Sequence, residues 1–500
     1  MSQLPHERPL LRALEFTRFL GACAFLLLAC GTLATCTTPR SNPSGVHARP
    51  PNVVIVLLDD LGWGDLGCYG GAAKTPAIDS LALGGLRFTD FSAAQASCTP
   101  SRAGLLTGCY PNRIGLTHPL SPLEKIGLAP EEETLPELLK EQGYATALIG
   151  KWHLGVRPGH SPLDHGFDEY LGLLVSNDYW PVDYDGKPLE PGQPRSHWPF
   201  QRLVDGRAPG AELRTLDDQS KVNELLVRRS VDFVERHAHE PFFLVLATPM
   251  PHVPLAPGAP FRGRSGGGLY GDVLLELDAS VGRVVETLER HGLREDTLIV
   301  VTSDNGPWLN LGDHAGSAGG LREGKGSVWE GGLRVPCIVS WPGVVPAGTE
   351  YAGHCTNLDL LPTIAGFAGA RAPKAKSDGV SFRSVFEGDL SARPRAEFLC
   401  FEGNALQAVR RGRWKLQLPH EYRSYAAGEP RNGGWPGPTK QVPIGTQLFD
   451  LDRDPFERVD VAAEHREIVA ELEALARAAR AEFGDAKAPG PGVRPPLAVE

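Results

Sequence analysis

Residues 53–58 read Val-Val-Ile-Val-Leu-Leu, an apolar and largely β-branched run with no polar interruption. A strand with one face in water would alternate, so this one must be covered on both faces, as in a mostly parallel sheet flanked by helices. Residues 242–247 repeat the signature, residues 297–302 do so between two threonines, and 86–91, 145–149 and 335–341 are further strand segments. Between them, residues 75–83, 134–142, 219–237 and 271–291 carry apolar side chains at helical spacing. Strands alternating with helices place the chain in the α/β class, built on one large sheet.

Open α/β sheets collect ligands at the carboxyl ends of their strands. Here the first strand ends in Asp59-Asp60 and a later one in Ser303-Asp304-Asn305-Gly306. An acidic pair closing a strand is, alone, most often a solvated turn. Two such pairs offer three carboxylates and an amide, hard oxygen donors that suit Ca²⁺ or Mg²⁺ and not a thiolate or imidazole zinc site. The number and flexibility of the carboxylates favour Ca²⁺, with Mg²⁺ the alternative. Strand 145–149 runs into Gly150-Lys151-Trp152-His153-Leu154-Gly155, where Lys151 and His153 alternate along an extended segment and can face one side. His252 sits in Pro249-Met250-Pro251-His252-Val253-Pro254, a loop stiffened by its prolines. Glycines flank Lys325 and let its backbone approach closely while the ammonium reaches inward.

The stretch Cys98-Thr99-Pro100-Ser101-Arg102, continuing through Leu106-Thr107-Gly108, puts a cysteine at a helix N-terminus. Unpaired N–H groups and the helix dipole favour anions there, and Arg102 adds a permanent charge one turn on. The run resembles the signature of the type I sulfatases: cysteine, any residue, proline, serine, arginine, then a closing leucine-threonine-glycine. The Gly-Lys-Trp-His-Leu-Gly segment and the proline-flanked histidine are similar to patterns of the arylsulfatase A group and follow in the same order.

The resemblance implies an alkaline-phosphatase-like fold, a sulfuric ester hydrolase, and a sulfated small molecule or glycan as substrate. It implies that a formylglycine-generating maturation enzyme oxidises Cys98 to formylglycine, whose hydrate is the nucleophile. By the same resemblance Asp59, Asp60, Asp304 and Asn305 hold the metal together with residue 98, and Asp304 is the base. Arg102, Lys151 and Lys325 would hold sulfate oxygens, His252 or Lys325 would protonate the departing oxygen, and His153 would assist sulfate release. Ser176 matches a pocket serine. The rival readings are a phosphodiester or phosphonate monoester hydrolase of the same superfamily, and an inactive carbohydrate-binding relic.

Bulk properties narrow the rest. Five hundred residues exceed one usual core, so a large domain (50–391) and a smaller one (392–485) are expected. The net charge of −10 argues against a nucleic-acid partner and gives no general attraction for an anion, so an anion pocket must be built locally. Arg8, Arg12 and Arg18 precede an apolar run at 19–29, shorter than the about 20 residues a membrane span needs, which reads as an export leader within residues 1–49. Leu27-Leu28-Ala29-Cys30-Gly31 resembles a bacterial lipoprotein cleavage box, so the expected location is the periplasm or cell surface. Membrane contact would come only through a lipid on Cys30, and a plainly cleaved signal is the alternative. Of nine cysteines, those outside the leader and apart from Cys98 could form at most a few disulfides. Residues 177–209 read as a long loop able to shape substrate choice. Residues 408–418 and 447–451 read as antiparallel strands, 461–483 as a helix and 486–500 as a frayed tail.

Overall fold

A computed structural model describes residues 49–426, 429–486 and 488–499, so the leader and Cys30 lie outside the described residues. The strand Asn52–Leu58 is buried at every position. It pairs in parallel with Phe242–Ala247 on one side and Thr297–Ser303 on the other, with Val54 level with Leu244 and Ile299. Val53, Ile55 and Leu57 join one apolar cluster and Val54, Val56 and Leu58 another, so alternate residues pack against opposite helical layers. Burying each such side chain stabilises the fold by about 2 kcal/mol.

Among the described residues the large sheet has 9 strands. Its order is Thr349–Tyr351, Leu86–Phe88, Cys337–Ser340, Thr297–Ser303, Asn52–Leu58, Phe242–Ala247, Ala145–Gly150, Glu169–Gly172 and Val204–Asp205. From Thr297–Ser303 through Glu169–Gly172 all pairings are parallel; Cys337–Ser340 and Val204–Asp205 join antiparallel. Residues 177–209 are therefore not all loop, since Val204–Asp205 closes the sheet edge. The parallel strands point the same way, so their carboxyl ends open on a single edge of the sheet.

Glu397–Glu402, Ala405–Arg411, Trp414–Gln417 and Gln447–Asp450 form a second, antiparallel sheet, against which the helix Arg466–Phe483 packs. Its apolar side is not a separate core: Phe398, Val409 and Leu472 cluster with Ala94, Ala96, Tyr110 and Leu358 of the larger part. Buried ion pairs fix that docking. Arg410 holds Asp90 bidentately, and Lys415, fully buried, reaches both Glu330 at 2.8 Å and Glu457 at 3.0 Å. Removing one partner would leave an uncompensated buried charge, so the register of the two parts is strongly specified.

The C-terminal residues expected to fray are held instead. Leu497 and Ala498 pair with Gly127 and Ile126, and Arg494 forms an ion pair with Glu132 at 2.6 Å. Composition hid this because both partners lie more than three hundred residues upstream. The described cysteines, Cys68, Cys98, Cys109, Cys337, Cys355 and Cys400, are all free thiols. Among the described residues no helix is long and apolar enough to cross a membrane.

One buried histidine makes the fold acid-sensitive. His165 stacks on Trp152 at 5.8 Å, and burial pushes its imidazole down to about 4. Its folded value lies below the unfolded one of about 6.5, so its contribution is present above that pH and is lost as pH falls towards 4. We expect about 2 kcal/mol of stability to be lost between pH 7 and pH 5 through this group, read by denaturant unfolding at both pH values. A His165→Gln variant should show a shallower drop, and an unchanged slope would clear His165 of the effect.

Candidate active site

Four parallel strands deliver the polar residues to one place. Asp59 and Asp60 follow Asn52–Leu58, Asp304 and Asn305 follow Thr297–Ser303, Lys151 follows Ala145–Gly150, and His252 lies in the loop after Phe242–Ala247. The chain turns sharply at Asp60, which takes φ 64°, a conformation costly for a residue with a side chain. The turn is held by Asp60 N–H to Asp304 Oδ1 at 3.1 Å and Leu61 N–H to Ser303 Oγ at 3.0 Å. Gly150 is required where it stands: at φ 129°, a Cβ there would lie 1.8 Å from the Ala247 carbonyl.

Cys98 opens the helix Cys98–Thr107, behind Ser97 and ahead of the left-handed Gly108. Its Sγ is 3.3 Å from Asp59 Oδ1 and 3.4 Å from Lys325 Nζ. Burial, and then the Asp59 carboxylate, push the thiol well above its ordinary value. Residue 98 is thus kept protonated as a thiol, the opposite of an activated cysteine nucleophile.

Each carboxylate has a cation on it. Lys151 Nζ donates to Asp59 Oδ2 at 2.5 Å and to Ser176 Oγ at 3.1 Å, and Lys325 Nζ donates to Asp60 Oδ1 at 2.6 Å and Oδ2 at 2.8 Å. Arg102 likewise engages a carboxylate: Nε donates to Asp304 Oδ2 at 2.9 Å and Nη1 to the Lys151 carbonyl at 2.9 Å, with Nη2 3.7 Å from Asp59 Oδ1. It fixes the carboxylate and the lysine loop, because the helix start places its stem beneath them. Burial would raise Asp59, but Lys151 and Arg102 outweigh it and hold that carboxyl well below the usual range. Burial and the neighbouring Asp59 charge push Asp304 up to about 6.

The two histidines turn opposite ring nitrogens to the site. His252 Nδ1 must carry a proton, since it lies 2.6 Å from the Val253 carbonyl; Nε2 then faces the site, 3.6 Å from Asp60 Oδ2. His153 is the reverse, with Nε2 on the Leu120 carbonyl at 3.0 Å and a buried Nδ1 without a partner. Burial and the charges of Lys151 and Arg102 hold His153 well below its ordinary value, so it is neutral and Nδ1 is free to accept.

The donor set fits a hard divalent cation. Oxygens of Asp59, Asp60 and Asp304 and the sulfur of Cys98 lie within 4.8 Å of one another, all buried. Asn305 Nδ2 donates to Asp60 Oδ1 at 2.7 Å, and its amide oxygen, fully buried, has no hydrogen-bond partner. A buried oxygen left without a donor beside three carboxylates is where a cation belongs. The three carboxylates are matched in number by Arg102, Lys151 and Lys325, so a divalent ion would leave the pocket net positive in a protein of net charge −10.

The sulfatase family model matches residues 51–370. This chain belongs to the sulfatase family. It is 38% identical over 473 residues to arylsulfatase A of Bos taurus, covering 89% of this chain and 90% of that protein. It is 34% identical over 449 residues to N-acetylgalactosamine-6-sulfatase of Homo sapiens, covering 85% and 84%. The crystal structure of PsFucS1 sulfatase from Pseudoalteromonas sp. superposes with TM-score 0.78 at 30% identity, covering 86% of this chain and 90% of that one. The chain is therefore a sulfuric ester hydrolase by family.

Some residues of this sulfatase site carry no signal in the sequence. The Lys325 carbonyl accepts from Arg423 Nη2 at 3.0 Å and from the Tyr425 hydroxyl at 2.5 Å, both from the C-terminal part and outside the matched span. Gly326, at φ 73°, admits that guanidinium, since a Cβ there would lie 1.9 Å from Arg423 Nη2. Trp308 sits beside the His252 ring at 5.7 Å and under Lys325 Nζ at 5.3 Å. The glycines around Lys325 hinted at a close approach, but nothing local said what approaches.

Proposed function

We propose that this chain is an exported sulfatase that releases sulfate from carbohydrate esters, and from aryl esters as simpler substrates. It would use formylglycine at residue 98 and a Ca²⁺ ion held by Asp59, Asp60, Asp304 and Asn305. The observation that carries the reading is the convergence of three buried carboxylates, two lysines and an arginine on Cys98 at one edge of the sheet. Formylglycine would supply, as its hydrate, one hydroxyl to attack sulfur and a second whose deprotonation frees sulfate, a route closed to a thiol. Ca²⁺ would supply charge stabilisation at the sulfate oxygens.

The side chains divide the remaining work. Arg102, Lys151 and Lys325, buried around residue 98, would bind sulfate oxygens as the charge on them grows. Asp304 would accept the nucleophile's proton while Arg102 holds it in place. His252, carrying a proton on Nε2 as well as on Nδ1 and with Nε2 turned to the site, would protonate the departing oxygen, and Lys325 is the second candidate for that proton. His153 Nδ1, neutral and free, would accept the proton whose removal releases sulfate. The carbohydrate preference is supported by the similarity to a protein named N-acetylgalactosamine-6-sulfatase. Export is supported by the leader pattern in residues 1–49.

The test is a pair of rates on protein co-produced with a formylglycine-generating enzyme: a sulfate ester and a phosphate diester of the same phenol. Faster sulfate cleavage is expected, and a faster diester would favour the phosphoester reading. Chelation should remove activity and also lower the unfolding temperature, because an ion bound only by the folded site stabilises it by mass action. Ca²⁺ should restore both more fully than Mg²⁺. Unchanged stability and activity after verified metal removal would exclude the metal.

A further inference from the structure

The segment after Ser176 lines the site between Lys151 and His252. Lys151 Nζ donates to Ser176 Oγ at 3.1 Å, and Asn177 Nδ2 donates to the carbonyls of His252 at 3.3 Å and Pro254 at 3.5 Å. Tyr179 meets the His153 ring edge-on at 5.6 Å and the Trp198 ring at 4.8 Å. Its phenol is raised first by burial and then by the adjoining Asp178 carboxylate, with Lys325 opposing.

Between them, Asp178 is 5% exposed, and its buried Oδ1 has no hydrogen-bond partner. The nearest guanidinium is committed elsewhere. Arg195 Nη1 donates to the Asp178 backbone carbonyl at 2.9 Å, Nη2 to Asp183 Oδ1 at 3.4 Å, and the group lies over the Tyr184 ring at 4.6 Å. Burying a carboxylate oxygen without a donor costs free energy, a cost that a ligand's donor can offset.

We infer that Asp178 determines specificity for the alcohol half of the substrate by accepting hydrogen bonds from the hydroxyls of a neutral sugar. The inference rests on the sulfatase reading above and names its leaving-group chemistry. An ionised carboxylate only accepts, so the group opposite must donate: a sugar hydroxyl or an amide N–H. A uronate at that position would meet like charge and be rejected. The Tyr179 ring, next in the chain, and the Trp198 ring packed on it at 4.8 Å would provide apolar faces for the C–H side of a pyranose.

The experiment compares sulfate release from para-nitrophenyl sulfate, which offers no such donor, with release from the monosulfate regioisomers of methyl galactoside and methyl glucoside. The matured, unaltered enzyme should cleave at least one sugar ester. Asp178→Asn should lower kcat/KM on that ester by about 100-fold, a loss about ten times or more that on para-nitrophenyl sulfate. Asp178→Glu, which keeps the carboxylate where asparagine puts an NH₂ in place of one oxygen, should recover part of the loss. Equal losses on both kinds of ester in both variants would make Asp178 structural and overturn the inference. A parent enzyme that cleaves para-nitrophenyl sulfate and no sugar ester would overturn it too. If no probe releases sulfate, the sulfatase reading itself fails and the inference falls with it.

Discussion

Replacing Cys98 by alanine is expected to lower sulfate release from para-nitrophenyl sulfate by about 10⁴-fold or more, while the folded protein persists. The side chain is small, buried and at the first turn of its helix, so its loss removes few contacts. What it removes is the atom that Asp59, Asp60 and Lys325 approach. A thiol has no second hydroxyl whose deprotonation expels sulfate, so unmodified cysteine should be as inert as alanine. Protein made without a maturation enzyme should therefore also be inactive, and mass analysis of the peptide bearing residue 98 should find thiol there and aldehyde in active preparations. Substantial turnover by the alanine variant would refute the nucleophile assignment.

Lys325→Ala is expected to reduce kcat by about 10²–10³-fold, the usual consequence of deleting one preorganised donor at a developing charge. Lys325 Nζ bridges Asp60 and Cys98, and the Asp60 carboxylate outweighs burial to hold the ammonium protonated. It is thus a fixed positive charge within reach of whatever stands at residue 98. Lys325→Arg should not restore the rate, because a planar guanidinium cannot occupy a point contact between two groups so close together. The check is kcat and KM on the aryl sulfate, with unfolding temperature measured in parallel. A loss below about ten-fold would remove Lys325 from the reacting centre.

Much of this site was legible because its elements are local in the chain. An unbroken apolar run such as 53–58 has few fates, and the carboxylates of Asp59, Asp60 and Asp304 directly follow such runs. The Cys98 turn, the Lys151 segment and the proline-flanked His252 are short motifs, read the same way. Other features were illegible for a physical reason. The contact of Arg102 with Asp304 spans 202 residues of sequence, and the grip of Tyr425 on Lys325 spans 100. The ordered C-terminal residues depend on a partner strand at Ile126–Gly127. The unpaired oxygens of Asp178 and Asn305 are defined by what does not reach them, which no local pattern encodes.

By itself, then, the sequence determined the α/β architecture, the polar groups at the strand ends and the cysteine signature, because periodicity, burial demand and short motifs are properties of neighbouring residues. Only the tertiary structure decided which cation sits on which carboxylate, which nitrogen of each histidine is free, and that the C-terminal part holds the Lys325 loop. Those outcomes are set by distances between segments that the parallel strands bring to a common edge, and hydrogen bonds and ion pairs form or fail over an ångström that sequence separation does not measure.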